Sequence, residues 1–154
     1  MPRLLARWWA LAADERGLLL GLMAGLPVIA ALLRLLGVMR TMRLLERTSG
    51  GAAPRRADPF EVSDARRAAQ LTALAGRRGL IAATCLRQAL LLYWLLRRRG
   101  FAPELKLGVR NDGDAFAAHA WIELQGMALG EGEAAYLPFA AIGPRGPTQR
   151  SACP

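Results

Sequence analysis

A chain of 154 residues with 53% apolar residues is long enough to form one domain with its own core. With two cysteines, one of them Cys153 near the C-terminus, and a single histidine, it has neither a disulfide framework nor a metal-ligand cluster, and no phosphate-binding glycine loop calls for a cofactor. The net charge of +9 rests on arginine, with Lys106 the only lysine, and favours anionic partners; the arginines are dispersed, aromatics make up only 6%, and no base-reading motif accompanies them, so nucleic acid is set aside.

The first predicted element is a short amphipathic helix over residues 3–12, with Trp8 and Trp9 near one face. The two indoles suit either a membrane interface or packing on the domain. Asp14 and Glu15 then open a second helix, since acids are favoured in a first turn. Residues 17–33 carry no charge, Gly17, Gly21 and Gly25 fall on one stripe, and Arg34, Arg40, Arg43 and Arg47 follow. Such a segment is at the lower edge of a membrane span, and its glycines permit close helix contact. It equally suits an apolar face covered by the domain or by a partner, and Pro27 is expected to kink it. No signal-peptide cleavage site accompanies it. Residues 1–48 are therefore expected to form an apolar helical lead-in associated with the domain, a partner or a membrane.

Residues 49–54, Ser-Gly-Gly-Ala-Ala-Pro, form a linker. Asp58-Pro59-Phe60-Glu61 has capping-box form with proline at the first helical position, and Ser63-Asp64 is a rival start; either way a helix runs to about Arg78 with Leu71 and Leu74 inward. Cys85 begins the next helix. Its body is nearly unbroken apolar sequence, ended by Arg97-Arg98-Arg99 and Gly100, which reads as a buried rod with a basic last turn and a glycine stop. Leu105, Leu107 and Val109 alternate with Lys106, Gly108 and Arg110 as a half-buried strand does. A turn at Asn111-Asp112-Gly113-Asp114 returns the chain as a second strand carrying His119, and a short third strand follows Gly126 over residues 127–131. The expected core spans residues 55–143 and residues 144–154 form a tail.

The chemistry has few places to be. A thiol becomes a nucleophile when a helix N-terminus and an imidazole stabilise its thiolate, and Cys85 and His119 are in the right order for that, helix thiol before strand base. Each alone is more often a structural residue. Gln88, one turn into the Cys85 helix, has no assigned part; the backbone N–H of Cys85 is one candidate oxyanion donor, and the second is left open.

The pattern Cys85-Leu86, apolar helix, Arg98-Arg99-Gly100, an extended segment with Gly108-Val109, then Ala118-His119-Ala120-Trp121-Ile122-Glu123 and Gly126 resembles the lasso-peptide leader peptidases, cysteine proteases with a transglutaminase-like, papain-related fold. The likeness is strongest over residues 80–138 and extends to residues 15–45. It implies an α+β fold in which a central helix carrying the cysteine packs on a small antiparallel sheet. It also implies a Cys85-His119-acid triad, with Glu131 where such proteins usually have aspartate. Cleavage would remove the leader from a ribosomal precursor peptide, in the cytoplasm or at the inner face of the membrane. The other partners implied are a separate leader-recognition protein and a lasso cyclase. The rival readings are transglutaminase-like acyl transfer and a non-enzymatic membrane-associated scaffold.

Strand register bears on the acid. A three-residue loop Leu124-Gln125-Gly126 would set Glu123 opposite Met127 and His119 opposite Glu131; a two-residue loop Gln125-Gly126 would set Ala120 opposite Glu131; a loop one residue later would offer Glu133 to His119. The glycine at the third loop position favours the first register.

Overall fold

The computed structural model describes residues 12–50, 55–78, 83–112, 115–130 and 137–142. The N-terminal tryptophans, Glu131, Glu133 and Cys153 lie outside the described residues. Among the described residues, three helices, α1 (Ala13–Thr48), α2 (Pro59–Arg78) and α3 (Cys85–Arg98), precede four strands, β1 (Pro103–Asp112), β2 (Ala115–Leu124), β3 (Met127–Ala128) and β4 (Leu137–Ile142). The strands form one antiparallel sheet in the order β3-β2-β1-β4. This is the expected α+β class, with α3 packed on α1, α2, β1 and β2 at once.

α3 holds that central position because its sequence is apolar on several sides: Ala89, Leu90, Leu91, Leu92, Tyr93 and Leu96 are all buried. Its end is fixed as the sequence indicates. Gly100 takes φ +83°, its N–H bonds the Arg97 carbonyl at 2.9 Å, and the Phe101 N–H bonds the Leu96 carbonyl at 3.1 Å, so two otherwise orphaned carbonyls are satisfied in a Schellman motif. α2 starts at the capping box rather than at Ser63: Glu61 N–H donates to Asp58 Oδ1 at 2.8 Å, and Asp58 N–H donates to Glu61 Oε2 at 3.0 Å. Glu61 is also paired with Arg55, whose side-chain hydrogen bonds are the main cause holding its carboxyl down at about 2.

α1 contributes Leu19, Leu22, Leu26, Ile29, Met42 and Leu45 to the same aliphatic core as α2 and α3. Its far end is tied to α3 by three hydrogen bonds, Tyr93 Oη to Glu46 at 3.3 Å, Trp94 Nε1 to Thr48 Oγ1 at 3.2 Å and Arg97 Nε to Ser49 Oγ at 3.0 Å. Gly25 is a point of close approach, since a Cβ there would fall 2.9 Å from Leu91 Cδ1, whereas Gly17 and Gly21 face open space. The non-helical residue in α1 is Gly37 (φ +73°, ψ 173°), not the expected Pro27, which the helix runs through. Proline removes one backbone bond, but a glycine in an extended, positive-φ conformation breaks the ladder outright.

The sheet follows its alternation. Leu105, Ala120, Ile122 and Leu124 are buried in the core, with Leu105 directly opposite Ile122. Asp112 pairs with Ala115, leaving a two-residue connection. The second hairpin departs from the expected register: Leu124 pairs with Met127 and Glu123 with Ala128, so the loop is Gln125-Gly126 alone. Both residues have positive φ, +55° and +76°, the type I′ geometry whose twist matches the flanking strands. Gln125 accepts that conformation with a tertiary anchor, its Nε2 donating to the Ala57 carbonyl at 2.8 Å.

Candidate active site

Thr84, the N-cap of α3, has extended backbone angles and makes no side-chain capping bond; Cys85 is the first helical residue. The first turn of a helix has N–H groups without intrahelical partners, and here the cap side chain takes none of them. Cys85 is a free, half-buried thiol packed against the aliphatic core. Its approach is held by Gln88, whose Nε2 donates to the Ala83 carbonyl at 2.9 Å. Gln88 in turn lies over Gly76 at the end of α2, where a Cβ would fall only 2.4 Å from Nε2 and 2.6 Å from Cδ. The Ala83 N–H reaches the Gly76 carbonyl at 3.3 Å. Gly76 and Gln88 together therefore fix how the chain enters the cysteine helix, a role the sequence did not announce because it joins residues on two helices.

His119 is half-buried near the middle of β2. Its partner on β1 is Gly108, which has no side chain to crowd the imidazole, and the β1–β4 register shifts between Leu107 and Gly108. An irregularity of that kind re-aims side chains locally and is common beside active sites. The alternation of β2 puts His119, Trp121 and Glu123 in one row, on the face opposite Ala120, Ile122 and Leu124. The expected common face of His119 and Trp121 is realised as a near-parallel stack, ring centroids 6.0 Å apart at 15°. Trp121 is only 5% exposed and its Nε1 donates to Glu123 Oε1 at 3.1 Å. Lys106, opposite Trp121, bridges Glu104 at 2.7 Å and Glu123 at 3.6 Å; the hydrogen bond to Glu104, ahead of the other influences, raises its pKa. The only lysine thus braces the carboxylate that orients the indole beside His119, a detail hidden in sequence because it needs the strand register.

α3, which carries the thiol, packs on β2 through the row Ala120, Ile122 and Leu124, whereas His119 lies in the other row of that strand, so the packing joins the two elements without itself setting the imidazole against Cys85. Glu131, the expected third member, lies outside the described residues. The three-residue loop that would have faced it toward His119 is not the loop that forms. Its candidacy therefore rests on the family pattern and no longer on register. Among the described residues no group of His, Cys, Asp and Glu is arranged to hold a metal.

The family model described as the transglutaminase-like superfamily matches residues 28–143, well over half of the sequence. The chain belongs to the transglutaminase-like superfamily. That superfamily is largely enzymatic and includes cysteine peptidases and acyltransferases. No curated protein and no solved structure matches the chain. The superfamily match takes in the second half of α1, which agrees with that helix sharing the core.

Proposed function

We propose that this transglutaminase-like protein is a cysteine peptidase that removes the leader from a ribosomally made lasso-peptide precursor, with Cys85 as nucleophile, His119 as general base and acid, and Glu131 as the group that orients the imidazole. The observation that supports it most is the uncapped start of α3: Cys85 is its first residue, and α3 packs on the strand that bears the only histidine in the chain. In the proposed reaction the Cys85 thiol gives its proton to His119 and its sulfur attacks the scissile carbonyl. Backbone N–H groups at the start of α3 stabilise the oxyanion. Collapse expels the core peptide as an amine, which takes the proton from His119 and leaves the leader as a thioester. Water then attacks the thioester, giving its proton to His119, and the leader departs as a carboxylic acid while the thiol is restored. A cytoplasmic setting keeps that thiol reduced. A separate leader-recognition protein presents the precursor, and a cyclase consumes the freed core.

The superfamily also supports acyl transfer to an amine, and the two reactions differ in product mass. Incubating the full chain with the precursor and its recognition protein should give leader acid and free core peptide. Cys85→Ala should abolish turnover with unchanged circular dichroism, and Glu131→Gln should lower kcat by orders of magnitude, by losing the charge that supports the imidazolium. Full activity of Cys85→Ala would remove the mechanism, and a leader–amine adduct in place of the acid would make the protein a transferase.

A further inference from the structure

One face of α1 is accounted for by the core. Leu22, Leu26 and Ile29 are at most 3% exposed, and Gly25 lies against Leu91 of α3. The opposite face is where a surface helix of a soluble domain carries its charges. Here it carries none: Gly17, Leu20, Gly21, Ala24, Val28, Ala31 and Leu35 recur at three- and four-residue steps and are all exposed. Leu20, Val28 and Leu35 are 55%, 58% and 77% exposed, and Met39, just past the Gly37 break, is 56% exposed. The helix has the length and apolar composition of a membrane span, but so has a buried core helix, and α1 is half of each, with only 22% of its most apolar window buried.

Charge decides between the occupants of that face. Residues 16–45 contain no acidic residue, and the arginines that follow the apolar stretch, Arg34, Arg40, Arg43 and Arg47, are exposed. A second copy laid parallel would set these arginines against their like-charged counterparts, and one laid antiparallel would offer the four of them only Asp14 and Glu15, of which Glu15 is already paired with Arg67. An anionic lipid surface accepts both parts, the stripe in the acyl boundary and the guanidinium groups among headgroup phosphates. Spanning is disfavoured, because it would strip Leu22, Leu26 and Ile29 from α2 and α3. We infer that α1 docks this protein flat on an anionic bilayer surface, through the stripe centred on Leu20, Val28 and Leu35 and the arginines at its C-terminal end. The inference does not depend on the peptidase reading, since it concerns a face remote in sequence from Cys85 and His119.

The test is sedimentation of the full chain with vesicles of phosphatidylcholine alone and of phosphatidylcholine mixed with phosphatidylglycerol. Binding to the mixed vesicles should exceed binding to the neutral ones at least tenfold and fall with added salt. The variant Leu20→Glu/Val28→Glu/Leu35→Glu should lose binding with its circular dichroism unchanged, and Arg40→Gln/Arg43→Gln/Arg47→Gln should lose most of it. Three results overturn the inference. The first is equal or absent binding to both vesicle types. The second is bound protein that resists alkaline carbonate extraction, as a spanning helix would. The third is self-association without lipid that the glutamate variant abolishes, which would assign the stripe to a second copy. Should the glutamate variant misfold, the arginine variant decides alone: undiminished binding to the mixed vesicles overturns the inference.

Discussion

Gly76→Ala should loosen the entrance to the cysteine helix. Glycine inside a helix ordinarily gains about 1 kcal/mol when replaced by alanine, through propensity and reduced unfolded-state entropy. At Gly76 the new methyl would lie 2.4 Å from Gln88 Nε2 and 2.6 Å from its Cδ, so the carboxamide must leave its place. Its hydrogen bond to the Ala83 carbonyl goes with it, a loss of about 1 kcal/mol, and because the crowded atoms are the far end of a flexible side chain that can swing aside, little overpacking remains. The two effects nearly cancel, so the alanine should bring none of its usual gain of about 1 kcal/mol, and Tm should stay within roughly 2–4 °C of the parent's. Thermal unfolding followed by circular dichroism measures the first effect, and the rate of iodoacetamide labelling at Cys85, which should change because Ala83 lies two residues before it, measures the second. Gln88→Ala relieves the crowding, so the double variant should be more stable than the sum of the two single effects predicts. A Gly76→Ala protein that gains about 1 kcal/mol, or a double variant that is merely additive, would refute the proposed contact.

Thr41 is fully buried and its hydroxyl has no hydrogen-bond partner among the described residues, so Thr41→Val should leave stability unchanged or raise it by about 1 kcal/mol in a urea titration. Glu61 is held near 2 in the folded chain against its ordinary 4.5, so its pairing stabilises the fold fully above pH 4.5 and is lost as pH falls toward 2; Glu61→Gln should flatten the acid limb of a stability-against-pH curve in that window and lower stability at pH 7. Leu90→Ala, at a site with no exposed surface in the middle of α3, should cost about 2–5 kcal/mol, read as a lower urea midpoint with little change in slope.

The features legible in the sequence are those decided within a few residues of themselves. The capping box at Asp58 and Glu61, the glycine that ends α3, the alternation of β1 and the shared face of His119 and Trp121 all follow from short-range chemistry. The loop register was not legible, because a glutamine at φ +55° is uncommon and is held here by a bond to Ala57, 68 residues away in sequence. The same holds for Gly25 against Leu91 and for Gly76 against Gln88, where a glycine is explained only by the helix that packs on it. The position of the break in α1 went to Gly37 because proline preserves helical angles while glycine permits leaving them. For the candidate site, sequence order named the thiol and the imidazole, whereas the brace of Lys106 on Glu123 behind Trp121 needed the cross-strand pairing.

The three hydrogen bonds between residues 46–49 and residues 93–97 also set an order of events in biosynthesis. α1 leaves the ribosome before α2 and α3, and the side chains that fasten its far end follow it by 46–48 residues. Through that interval the part of α1 that α3 covers is open to solvent, a condition in which nascent chains aggregate or are captured. A holding surface, chaperone or bilayer, would shield that face until Arg97 has emerged. Pulse-labelled chains arrested before α3 should co-purify with such a surface through their N-terminal helix.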